Sequence, residues 1–161
     1  MIYIIGLNHG YQSQTDTWPP IHGVPLEKKS KDQQQPFLRW LESQLLSDPL
    51  LVWVFEEWTY GNRQIPSIAF TLVEKLNNGI QHLQIDPMDR LFKDKSESNE
   101  HREKIWLEKI LAELNPSMSG NALLIVGDEH VKTMEEKLKL KGYETKTIRE
   151  VTLLESISKL S

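Results

Sequence analysis

The sequence predicts a single α/β domain, a three-layer sandwich in which a mainly parallel β-sheet of about five strands is flanked by helices. Three observations lead there. Apolar runs of strand length, in MIYIIG, LLVWVF and NALLIV, lack the alternation of a half-exposed strand and match strands covered on both faces. Segments with helical apolar spacing lie between such runs, so strand and helix alternate along the chain. A length of 161 residues fits one domain, 1–161, able to bury a core without staples.

The first strand begins at Met1 and runs into Gly6-Leu7-Asn8-His9. Tyr11 to Gln35 is polar, contains Pro19, Pro20 and Pro25, and has neither helical nor strand period, so 11–35 is expected as a long loop. Trp18 and His22 on it could close over a ligand, the alternative being a mobile surface excursion. Pro36 to Leu46 carries apolar residues at Phe37, Leu38, Trp40, Leu41, Leu45 and Leu46, an amphipathic helix with proline at its first position. Leu50 to Phe55 is the second strand and leads directly into Glu56-Glu57.

Ser67 to Leu76 suits a second helix stopped by Asn77-Asn78-Gly79. Ile80 to Ile85 is less apolar than the other strands, which predicts a sheet edge, and it ends in Asp86-Pro87. Residues 88–99 form a polar connection to a third helix, about Asn99 to Leu114, with Ile105, Trp106, Ile110, Leu111 and Leu114 at helical spacing and Arg102 in its first turn. The fourth strand, in Asn121 to Val131, ends in Gly127-Asp128-Glu129-His130. A helix from about Glu129 to Lys141, a strand near Tyr143 to Arg149 and a last helix from Leu153 complete the order.

Composition bounds the function. With 39% hydrophobic residues, 26% charged residues and a net charge of -4, the chain reads as an ordinary globular protein with no concentrated basic face, so nucleic acid is not expected as a partner. Zero cysteines exclude disulfides, zinc–thiolate sites and thiol nucleophiles. No apolar segment approaches a membrane span and no signal-peptide pattern opens the chain, so a cytoplasmic protein is expected. Neither Gly-x-x-His segment has the lysine or glycine spacing of a phosphate loop.

Strand followed by Gly-x-x-His occurs twice, about 120 residues apart, at His9 and at His130. Parallel sheets bind ligands beyond the carboxyl ends of their strands, where the sequence would gather His9, Glu56 with Glu57, Asp86, and Asp128 with Glu129 and His130. Two carboxylates about 5 Å apart repel by about 3 kcal/mol at an effective dielectric of about 20. Such a rim requires a cation, bound protons or an arginine. Two imidazoles and a carboxylate suit a divalent metal, manganese, zinc, cobalt or iron, that lowers the pKa of bound water. The expected ligands are His9, Glu56 and His130, with Glu57 as general base and Arg102 holding a substrate oxyanion. Successive residues of an extended strand face opposite ways, so this assignment requires the strand to end by Glu56, and the two glutamates remain interchangeable. Asp128 and Glu129 read as first-turn residues of the next helix, Asp86-Pro87 as a turn, and His82 and His101 as surface residues. Trp40, Trp53 and Trp106 fall on apolar patterns and are expected in the core.

The segments IIGLNH, VFEE, EHREKIWLEKI and LIVGDEH, in this order, resemble the superfamily that includes the erythromycin esterases, ChaN-like haem-binding proteins and the TraB and Tiki proteins. The resemblance implies an α/β core with one pocket lined by His9, Glu56 or Glu57, Arg102 and His130, and metal-dependent hydrolysis in some branches. This chain is shorter than most such proteins. The expectation is a small metal-dependent hydrolase acting on an ester, amide or similar bond of a small-molecule or peptide substrate. Its alternative is a non-enzymatic ligand-binding or protein-interaction module of the same fold.

Overall fold

The computed structural model of the chain describes residues 1–8, 11–12, 30–58, 66–86, 95–117 and 119–149. Among these residues five strands, β1 (Ile2–Gly6), β2 (Leu51–Glu56), β3 (Gln81–Gln84), β4 (Asn121–Val126) and β5 (Thr145–Ile148), form one sheet in the order β3-β2-β4-β1-β5. Every pairing is parallel. Among the described residues four helices accompany them: α1 (Lys31–Ser47), α2 (Ile68–Leu76), α3 (Lys95–Glu113) and α4 (Val131–Leu140).

The apolar runs predict their own places. β4, the central strand, buries all of Ala122 to Val126, and this is possible only because both faces of the sheet are covered. One face packs Ile5, Val54, Leu123 and Ile125 against Phe37, Trp40, Leu41 and Leu45 of α1 and Ala69, Leu72 and Val73 of α2. The other packs Ile2, Ile4, Phe55, Leu124 and Val126 against Trp106 and Ile110 of α3 and Val131, Met134 and Leu138 of α4. Odd and even residues of β1 and β4 thus feed different cores, as the period of two demands, and β2 does so from Trp53 onward, past a register shift between Leu51 and Trp53. Connections toward β3 carry α1 and α2 on one face, and those returning toward β5 carry α3 and α4 on the other. A single handedness of crossover requires that division.

Several boundaries differ from the sequence expectation. α1 starts five residues before Pro36, because Ser30 and Gln33 form a capping box: the Ser30 hydroxyl accepts from Gln33 N at 3.2 Å and Gln33 Oε1 accepts from Ser30 N at 2.9 Å. Pro36 is therefore inside the helix and not at its first position. Residues 31–35 of the expected loop belong to α1, and Tyr11 and Gln12 form a turn whose Gln12 carbonyl accepts from Ile68 N. Residues 13–29, with Trp18 and His22, lie outside the described residues. α3 starts at Lys95, so Arg102 sits two turns in and not in the first turn. A single 3-10 turn over Asp128–His130 precedes α4. The helix expected from Leu153 lies outside the described residues.

β3 is an edge strand, as its weaker apolar character predicts. α2 ends on Asn77 in the left-handed region, φ 44°, the conformation that asparagine tolerates best after glycine. Gly6 permits a close approach to the turn before α4: a Cβ there would overlap the side chains of Val131 and Asp128. Tyr143 anchors the far end, its hydroxyl donating to the carbonyl of Leu114. No helix among the described residues is long and apolar enough to cross a membrane.

Candidate functional site

The carboxyl ends of β2, β3 and β4 converge on a buried polar network built around Arg102. The ladder continues one residue past β2, with Glu57 N donating to Ile125 O at 2.8 Å. Strand alternation therefore still holds at Glu57, and Glu56 and Glu57 face opposite sides of the sheet. Both are buried, Glu56 at 0% and Glu57 at 3% exposure.

On the α3/α4 side, Glu57 Oε1 accepts from Arg102 Nη2 at 2.5 Å and Oε2 accepts from the backbone N of Gly127 at 2.7 Å. Arg102 Nε donates to Asp86 Oδ1 at 2.7 Å, which also accepts from Trp106 Nε1 at 3.0 Å. The guanidinium lies 5.1 Å from the centre of the Trp106 ring, one helical turn along α3. Burial alone would lower the Arg102 pKa, but Asp86 and Glu57 together hold it above its usual value. A guanidinium so placed is charged at every pH the protein meets.

His130 closes the same side. Its Nδ1 is 2.7 Å from Glu103 Oε1, which also accepts from Thr133 Oγ1 at 2.8 Å. Lys137 Nζ stands 3.7 Å from the other carboxylate oxygen. Burial alone would raise the Glu103 pKa, yet hydrogen bonds from His130 and Thr133 and the charges of His130 and Lys137 bring it below the usual carboxylate value. The His130 and Trp106 rings pack in a T-shape, centroids 4.9 Å apart. Its Nε2 is buried without a hydrogen-bond partner among the described residues, 3.7 Å from Glu57 Oε1 and 3.5 Å from Glu129 Oε1.

On the α1/α2 side, Glu56 is fully engaged by other residues. Gln12 Nε2 donates to Oε1 at 2.8 Å, and Oε2 accepts from Ser67 Oγ at 2.5 Å and lies 2.6 Å from His82 Nε2. The Ser67 hydroxyl also caps α2 by accepting from Phe70 N at 3.0 Å. Gln12 reaches across to the Glu57 carbonyl at 3.4 Å, so the turn after β1 is tied to the end of β2.

The expected residues are thus sorted into two groups. Glu57, Arg102 and His130 come together with Asp86 and Glu103; Glu56 stands apart on the other face. Strand β2 runs through Glu56, so the condition under which both glutamates would share a site is not met. His9 lies outside the described residues. His82 is not a surface residue: its side chain is 2% exposed and pairs with Glu56. Asp86 does more than turn, since it holds Arg102 and Trp106. Asp128 is a first-turn residue as expected and accepts from Arg149 Nε and Nη2, at 2.8 and 2.7 Å. His101 is exposed, and Trp40 and Trp106 are buried.

Charge compensation also differs from the sequence expectation. Four buried carboxylates, Glu56, Glu57, Asp86 and Glu103, meet Arg102, Lys137, His82 and His130. Leaving such charges unpaired in the interior would cost several kcal/mol per ion. The network is neutral when both histidines are protonated. A metal is one alternative source of positive charge and not a necessity. Among the described residues no group of three or more histidine, cysteine, aspartate or glutamate side chains is arranged to hold a metal ion. The donor set fits one in part: the unpartnered Nε2 of His130 and the nearby Glu57 suit it, whereas Glu56 does not. Comparison of the chain with protein-family models, curated proteins and solved structures finds no match.

Proposed function

We propose that the chain is a small metal-dependent hydrolase of an ester, amide or similar bond, working at the carboxyl ends of β2 and β4 on the α3/α4 side of the sheet. The observation that carries this reading is His130: a buried imidazole fixed through Nδ1 by a carboxylate, with Nε2 turned toward Glu57 and no hydrogen-bond partner among the described residues. Metal-ligating histidines are oriented in this way by their outer partners. His130 and Glu57 would hold manganese, zinc, cobalt or iron, with His9 as the ligand that the repeated Gly-x-x-His motif suggests. Such a metal supplies a hydroxide near neutral pH.

The residues of the chain then have separate duties. Arg102 fixes the Glu57 carboxylate from one side while Gly127 N fixes it from the other, so its oxygens are oriented before anything binds. Its place beside Asp86 and Trp106 makes Arg102 first of all a positioning residue, and oxyanion binding falls to it only with a guanidinium hydrogen that Asp86 and Glu57 leave over. Glu56 holds Gln12, Ser67 and His82 in place. The likeness of the short motifs to the erythromycin esterase, ChaN-like and TraB/Tiki proteins supports the same class of reaction.

The test is a screen of ester, lactone and amide substrates with each of the four metals added. Turnover in the wild type should fall by about 10²-fold or more in His130→Ala and survive in Glu56→Gln. Equal activity in His130→Ala and wild type would refute the reading.

A second reading, a non-enzymatic ligand-binding module, has its own support. A groove of about 570 Å³ lies between α1 and α2, lined by Lys31, Gln34, Leu38, Ile68, Leu72 and Lys75 among others. It is on the face away from His130. Ligand binding there, with no turnover of any substrate, would favour the module.

A further inference from the structure

We infer that Glu103 is a positioning residue that orients the His130 ring, holding a hydrogen on Nδ1 and turning Nε2 toward Glu57. Nothing in the pattern of the sequence marks Glu103; it is the convergence of two helices that does. His130, Thr133 and Lys137 are spaced i, i+3 and i+7, so they form one stripe along the start of α4. All three meet the Glu103 carboxylate from α3: His130 Nδ1 at 2.7 Å, Thr133 Oγ1 at 2.8 Å and Lys137 Nζ at 3.7 Å. Glu103 is itself 5% exposed.

An ionised carboxylate can only accept. The nitrogen 2.7 Å from it must therefore carry the hydrogen. Flipping the ring would turn a C–H against the carboxylate, and the Trp106 ring packed in a T-shape at 4.9 Å limits that rotation. In the neutral ring the remaining nitrogen is then an unprotonated acceptor, buried, with the oxygens of Glu129 and Glu57 at 3.5 and 3.7 Å and no donor within hydrogen-bond distance among the described residues. Two carboxylate oxygens close to a lone pair repel it. Such a site takes a species that is positive or presents a hydrogen: a proton, a metal ion, a water or a substrate hydroxyl. The use of the nitrogen in hydrolysis rests on the function proposed above; the orientation of the ring does not.

Long-range 1H–15N correlation spectra of the full chain labelled at histidine read the protonation of each ring nitrogen directly, without metal or substrate. Wild-type His130 should show a protonated Nδ1. Glu103→Leu removes the acceptor, and the proton should move to Nε2, where Glu57 and Glu129 can receive it. Should that variant fail to fold, Glu103→Gln, whose amide both donates and accepts, should give a mixture of the two forms. Thr133→Val, which keeps the carboxylate, should leave the wild-type pattern. A wild-type ring protonated at Nε2 alone would overturn the inference, as would an unchanged Nδ1–H pattern in the Glu103 variants. The expected spectra in a protein that hydrolyses nothing would refute the hydrolase and leave the positioning role standing.

Discussion

Glu56 and Glu57 are adjacent in the chain and lie on opposite faces of the sheet. Glu56 meets Ser67 Oγ at 2.5 Å on the α2 side, and Glu57 meets Arg102 Nη2 at 2.5 Å on the α3 side. One peptide bond thus separates a carboxylate that ties α2 and the turn after β1 to the sheet from one that belongs to the strand-end site. The two should respond differently to the same substitution.

Glu56→Gln removes the charge that faces His82 while keeping a similar shape. It should lower stability by about 1–3 kcal/mol, the cost of disturbing a buried hydrogen-bonded charge, and leave any metal affinity within about twofold, an energy well under 1 kcal/mol. Chemical denaturation and metal titration of the same sample check both halves.

Arg102→Leu should be among the most destabilising single changes in the chain. It leaves Glu57 and Asp86 buried without their cation, a loss of about 3–5 kcal/mol. The double variant Arg102→Leu with Glu57→Gln should recover part of that loss, because one of the stranded charges is gone. Urea unfolding midpoints of the two variants decide it.

Gly6→Ala should cost about 1–3 kcal/mol by overpacking, since the new methyl would overlap Val131 and Asp128. The strain falls on the turn that carries His130, so a shift of the His130 ring signals should accompany the fall in Tm.

Acid should weaken the protein partly through Glu103. Its folded pKa lies below the ordinary carboxylate value. Its contribution is therefore fully present above the unfolded-state pKa and is lost as the pH falls through the folded one. The stability gap between wild type and Glu103→Gln should shrink as the pH falls below about 4, the carboxylate range. Denaturation at a series of pH values measures that gap.

Much of this arrangement is legible in the residues. Unbroken apolar runs such as ALLIV name buried parallel strands, and their carboxyl ends name the place where Glu57, Asp86 and His130 gather. Other features are not local. Ser30-Lys31-Asp32-Gln33 is a readable capping box, but the polar QQQ run behind it and Pro36 obscure the helix it starts. The separation of Glu56 from Glu57 depends on how far β2 stays paired with β4, which neither strand's own residues dictate. His82 and Glu103 look like solvated positions on a polar strand and a charged helix. Their roles arise because Glu56 on β2 and His130 before α4 are brought against them by tertiary packing.

The most direct test of the proposed site is metal content by elemental analysis of protein purified without a histidine tag, beside the His130→Ala, Glu57→Gln and Glu56→Gln variants. Near-stoichiometric transition metal in the wild type and Glu56→Gln, lost in the other two, is the predicted result. Metal retained in His130→Ala, metal lost only in Glu56→Gln, or a wild type that binds none when manganese, zinc, cobalt or iron is supplied would contradict it.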